Sequence, residues 1–161
     1  MRSMEASPRD PARDRSGLAP VARAAGLLGL VPFAAAAGCV AFAPDAAWRA
    51  FGVQLALGWG TAILAFVAAV HWGLALAGRW RWDVSTVAGS VLPSVVGAAA
   101  VLQGGTRGLA LLVAGFGLFW LYERRRCGAD LPADYLALRR DLTLGVVALL
   151  TLTAFAAGPD T

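Results

Sequence analysis

The chain contains no lysine, a single histidine and two cysteines, and only 15% of its 161 residues are charged. Ordinary soluble domains carry nearer 25% charge. Each shortage excludes a class of chemistry. One histidine and two distant cysteines, Cys39 in an apolar run and Cys127 in a charged loop, cannot supply four zinc ligands. The same cysteines make no disulfide framework, and a bis-histidine haem would need a second chain. No Asp or Glu falls inside an apolar run, so the acidic relays of many proton-coupled transporters are missing. "GVQLALGWG" and "GFG" lack phosphate-loop spacing, and neither G-x-S-x-G nor a Cys/His nucleophile pair is present. The sequence therefore predicts no catalytic residue, no cofactor and no metal site.

What is abundant is apolar. Hydrophobic residues make up 58% of the chain, with mean hydropathy +0.64 and 19 glycines, a composition suited to membrane helices that pack by close backbone approach. All 14 basic residues are arginine, a bias that reads as a GC-rich bacterial genome rather than as chemistry. Runs of roughly 20 apolar residues match the bilayer core. Five are expected, at about 24–43, 51–77, 84–102, 108–122 and 142–157. The last is short, but Arg139 and Arg140 in front of it can snorkel to the interface. Short loops and charge-free interiors predict an all-α protein, five transmembrane helices in one compact bundle. Residues 1–22 read as a disordered tail and 159–161 as a short C-terminal one.

Orientation follows from the arginines. With five spans, one side holds twelve of them, in the N-terminal tail and the second and fourth loops; the other holds Arg49 and Arg107. The expected placement is the bacterial inner membrane, N-terminus cytoplasmic and C-terminus outside. The net charge of +4 then lies beside anionic lipid, so the expected partners are the bilayer and membrane proteins or further copies of this chain, without nucleic acid. The first span is expected to be retained rather than cleaved: "AAGC" (36–39) is only loosely like a lipoprotein site, and a cut after Ala43 would leave Pro44 behind it.

Function has to lie among the few polar groups of the spans. Ala65, Ala69, Gly73 and Ala77 form a small-residue ribbon on the second span, a packing face, and His71 lies roughly opposite. On the third span Thr86, Ser90, Pro93, Ser94 and Gly97 share one arc, and Pro93 cannot donate to the Gly89 carbonyl. His71 and Ser90 sit at matching depth, about 10 Å and about 9 Å below the ends of their helices. His71, Trp72, Ser90, Pro93 and Ser94 are therefore the candidate polar cluster, with His71 hydrogen-bonding across to the notch at Gly89, Ser90 and Pro93. Two readings stay open: a satisfied packing histidine, or a working group in a ligand pocket or proton path. Trp48, Trp59, Trp80, Trp82, Trp120 and Tyr122 are expected to form an interfacial belt. In "ADLPADYLALRRDL" (129–142), Asp130 is a candidate cap and Pro132 a helix start. Glu123, Tyr135 and Arg139 are candidate interfacial or docking residues, with Glu123 or Asp134 as partners for the arginines.

The segments "LGLVPF" (28–33), "AFVAAVHWGLAL" (65–76), "VLPS" (91–94), "GFGLFW" (115–120) and "LPADYLALRRDLTL" (131–144) together resemble the domain-of-unknown-function 3429 family, small bacterial inner-membrane proteins similar to a mitochondrial transmembrane protein of animals. The resemblance covers roughly residues 26–155. Its pattern maps onto His71, Trp72 and Gly73, then Leu92, Pro93 and Ser94, then Pro132, Tyr135 and Arg139, with Glu123 as the acid closing the fourth span. It implies a polytopic membrane protein and assigns no catalytic residue. The leading expectation is a non-catalytic accessory, assembly or interaction protein. The contrasting one is a small-solute or lipid transporter using His71, Ser90 and Pro93.

Overall fold

In the computed structural model, which describes residues 20–127 and 131–158, every regular element is a helix. They are α1 (Pro20–Leu28), α2 (Val31–Ala41), α3 (Ala46–Leu76), α4 (Val84–Gln103), α5 (Gly105–Cys127) and α6 (Ala133–Ala157). Five segments are long and apolar enough to cross a membrane, with α1 and α2 together forming the first, Pro20–Ala41. The protein is a multi-pass bundle.

The first span is broken where the sequence breaks it. Pro32, in the first turn of α2, has no N–H for the turn before it, and the chain passes through Gly29 and Leu30 between the two helices. The carbonyl of Gly29 accepts a bond of 3.0 Å from the Trp59 indole of α3. Trp59, expected at the membrane interface, thus ties two helices together. Helix α1 is described from Pro20, so residues 20–22 of the expected tail are helical. The remaining tail residues, the C-terminal 159–161 and the candidate cap Asp130 lie outside the described residues.

Helix α3 is the central element: it packs against α2, α4, α5 and α6. Asp45 caps its start by accepting from the Trp48 N–H at 2.9 Å. Its end is closed by a left-handed glycine, Gly78 at φ 66°, with bonds from Gly78 N to Ala75 O and from Arg79 N to Leu74 O. Gly97 of α4 lies so close to Thr61 of α3 that a Cβ there would sit 2.7 Å from the Thr61 methyl. That approach lets the Thr61 hydroxyl donate to the Gly97 carbonyl at 3.0 Å. Phe33, Leu57, Leu64, Leu109, Leu112, Phe116 and Leu150 fill the centre, with Phe33 and Phe116 edge to face at 6.5 Å.

The last two helices run beyond the apolar spans read from the sequence. α5 continues through the arginines to Cys127, and α6 runs from Ala133 through the fifth apolar span as one unbroken helix, with Pro132, the expected helix start, at its N-cap. Arginine is a good helix former, so the charge run ends the apolar stretch without ending the helix. These extra turns carry Glu123 and Arg139 alongside each other.

Candidate functional site

The polar interior is assembled at one end of the bundle from α3, α4, α5, α6 and the loop after α3. Phe119, Tyr122 and Glu123 lie at i, i+3 and i+4 on α5, and Tyr135, Arg139 and Thr143 at i, i+4 and i+8 on α6, so each set occupies one helical face. The two faces meet. Arg139 Nε lies 3.0 Å from Glu123 Oε2, with the two side chains only 6% and 2% exposed. The contact lacks the alignment of a directed N–H···O bond, so it is an ion pair held by charge, and Arg139 Nη2 has no acceptor among the described residues. Arg139 Nη1 donates to Thr143 Oγ at 3.0 Å, and that hydroxyl donates back to the Arg139 carbonyl at 2.8 Å. The Tyr135 hydroxyl reaches Glu123 Oε1 at a long 3.5 Å. The guanidinium also lies 5.6 Å from the centre of the Phe119 ring, a cation–π contact.

Phe119 joins this ion pair to His71. The imidazole, 1% exposed, is surrounded by Trp80, Phe119 and Tyr122 with ring centres at 5.1, 5.4 and 5.8 Å. Tyr122 continues to α4. A Cβ on Gly89 would meet the Tyr122 ring and hydroxyl at 2.8 Å, and the hydroxyl donates to the Ser85 carbonyl at 2.8 Å. The notch beside Pro93 is therefore filled by a tyrosine from α5. Ser90 donates to the Thr86 carbonyl of its own helix at 2.8 Å.

Of the residues expected to cluster, His71, Ser90 and Pro93 are buried and Ser94 is half-buried on α4. Trp72 stands apart: it is 44% exposed and packs edge to face on Trp82 at 4.9 Å. The second expected set, Glu123, Tyr135 and Arg139, comes together, but as interior groups for Glu123 and Arg139 rather than at lipid headgroups. Helical periodicity carried the signal for what sequence reasoning passed over, since Phe119 and Thr143 repeat on the faces of the acid and the base; Tyr122, expected in the interfacial belt, packs against His71 and bonds to Ser85 instead. Among the described residues no three His, Cys, Asp or Glu side chains gather at one point.

Outside the spans, Asp83 caps α4 by accepting from the Thr86 N–H at 2.7 Å and pairs with Arg126 at 2.7 Å. The Thr86 bond, followed by the Arg126 charge, holds its carboxyl below the usual carboxylate range.

These features define a polytopic helical membrane protein whose charged and aromatic interior fastens four of its helices together. The family model described as "Protein of unknown function (DUF3429)" matches residues 18–155, and the chain belongs to that family. No curated protein and no solved structure matches the chain.

Proposed function

We propose that this protein is a non-catalytic accessory of the bacterial inner membrane that binds other membrane helices through α3, with its N-terminus cytoplasmic and its C-terminus outside. The observation that carries this reading is the outward face of α3, where Gly58, Ala62, Ala69, Gly73 and Ala77 are all exposed. A Cβ built on Gly58 or Gly73 meets no atom within 4 Å. Without a hydrophobic drive between helices in lipid, association depends on close backbone contact, which small residues permit. Gln54 is exposed on the same face, about 12 Å along the helix from its start, and an amide facing hydrocarbon favours a hydrogen-bonding neighbour. The interior ion pair and ring contacts, by contrast, join helices of the chain itself. The arginine-only basic complement and the arginine asymmetry support the compartment and the orientation.

Disulfide cross-linking in native membranes tests this. In a chain with Cys39 and Cys127 replaced by alanine, Ala69→Cys should give discrete higher-mass species and Leu118→Cys, on an exposed apolar face of α5, should not. Bulky replacement beside the reporter, Ala62→Leu with Gly73→Leu in the Ala69→Cys chain, should abolish those species without unfolding the bundle, since both positions are exposed. Equal cross-linking from both positions would remove the support. Solute flux into vesicles holding the purified protein, abolished by His71→Phe, would replace this reading with the transporter one.

A further inference from the structure

The C-terminal turn of α5 and the N-terminal turns of α6 enclose a groove of about 300 Å³ lined by Trp120, Glu123, Arg124, Ala133, Leu136, Ala137 and Arg140. We infer that this groove binds the phosphodiester of an anionic glycerophospholipid, with the acyl chains running down the apolar wall.

Charge complementarity selects this occupant. Two guanidiniums, Arg124 and Arg140, border the groove, and the one acid among the described residues of its lining, Glu123, is already held by Arg139. Arg124 lies 5.5 Å above the Trp120 ring, which fixes its direction at the edge of the groove. Arg140 is shared with Asp141 at 2.8 Å, yet its side chain stays 55% exposed and keeps donors toward solvent. Depth separates a lipid from a soluble anion. Arg140 sits about 10 Å along α6, which leaves residues 141–157, about 26 Å of helix, to cross the hydrocarbon. The cations therefore stand at headgroup level, and Trp120, one turn before Arg124 on α5, extends the groove toward the acyl region. Basic pockets between helices are a recurrent mode of headgroup binding.

The test uses the full chain in nanodiscs of equal phosphatidylcholine and phosphatidylglycerol, with bound lipid read by native mass spectrometry. At about 1 kcal/mol per arginine near the surface, a preference of about fivefold or more for phosphatidylglycerol is expected. R124Q/R140Q should bring it close to unity, whereas R79Q/R81Q, which removes two arginines from the loop between α3 and α4, should leave it intact. Both groove arginines are exposed, so the variant is expected to fold. A preference that survives R124Q/R140Q, or that falls equally in R79Q/R81Q, overturns the site. Displacement of the lipid by inorganic phosphate would overturn the assignment to a lipid. The α3 cross-linking is independent of these outcomes.

Discussion

Glu123 and Arg139 face a cost that decides their pairing. Desolvating either charge alone costs several kcal/mol, and attraction at 3.0 Å offsets this only while both are present. Arg139→Gln or Glu123→Gln is therefore expected to destabilise the bundle by about 3–5 kcal/mol. The double substitution should cost clearly less than the sum of the two, because neither residue is then left as an unpaired buried charge. Reversible unfolding in mixed micelles measures all three, and additive losses would show that the pair is not coupled. Glu123 was legible as a partner for Arg139 because both flank apolar runs. Its burial was not, since that depends on α5 continuing through three arginines and on α6 starting early enough to place Arg139 opposite. His71 shows the same division: the apolar run around it announced a buried imidazole, while Trp80, Phe119 and Tyr122 come from a loop and a helix distant in sequence.

Helix α4 shows how far local signals reach. Asp83 before "VST" and Gly104 after Gln103 mark both of its ends, and the buried set Thr86, Gly89, Ser90, Pro93, Gly97 and Ala100 contains most of the polar arc read from the sequence. The Asp83 cap also has a pH signature. Its carboxyl titrates below the ordinary range in the folded protein, so the stability it contributes is present above the unfolded carboxylate value, near 4, and is lost as pH falls through the folded one. Between about pH 6 and pH 3 the wild-type chain should lose a small increment that Asp83→Asn, which keeps the capping acceptor, does not. Thermal unfolding across that interval provides the comparison, and identical pH curves would remove Asp83 from the account. The ribbon on α3 was read as a packing face, but Ala69, Gly73 and Ala77 are left outside the bundle. Small residues mark a face fit for close contact without saying whether the neighbour belongs to the same chain.

Across the bundle, five apolar spans leave the chain little choice of class, because backbone polar groups in hydrocarbon must be satisfied within helices. The direction of insertion belongs to the same level. With twelve arginines on one side and two on the other, the segment near Arg125 and the N-terminus should lie on the cytoplasmic face, opposite Arg107. Single cysteines at Arg107 and Arg125, in the chain lacking Cys39 and Cys127, should label from opposite faces of intact cells with a membrane-impermeant maleimide. Labelling of both from outside would contradict the orientation.

Composition and hydrophobic run length were enough to specify a helical membrane protein of five spans, because both act within single segments and need no knowledge of neighbours. The fastening of Arg139 to Glu123, the aromatic enclosure of His71, the tyrosine in the Gly89 notch and the groove between Arg124 and Arg140 depend on which helices lie side by side. Those juxtapositions arise from packing between segments far apart along the chain, and helical periodicity describes one segment at a time.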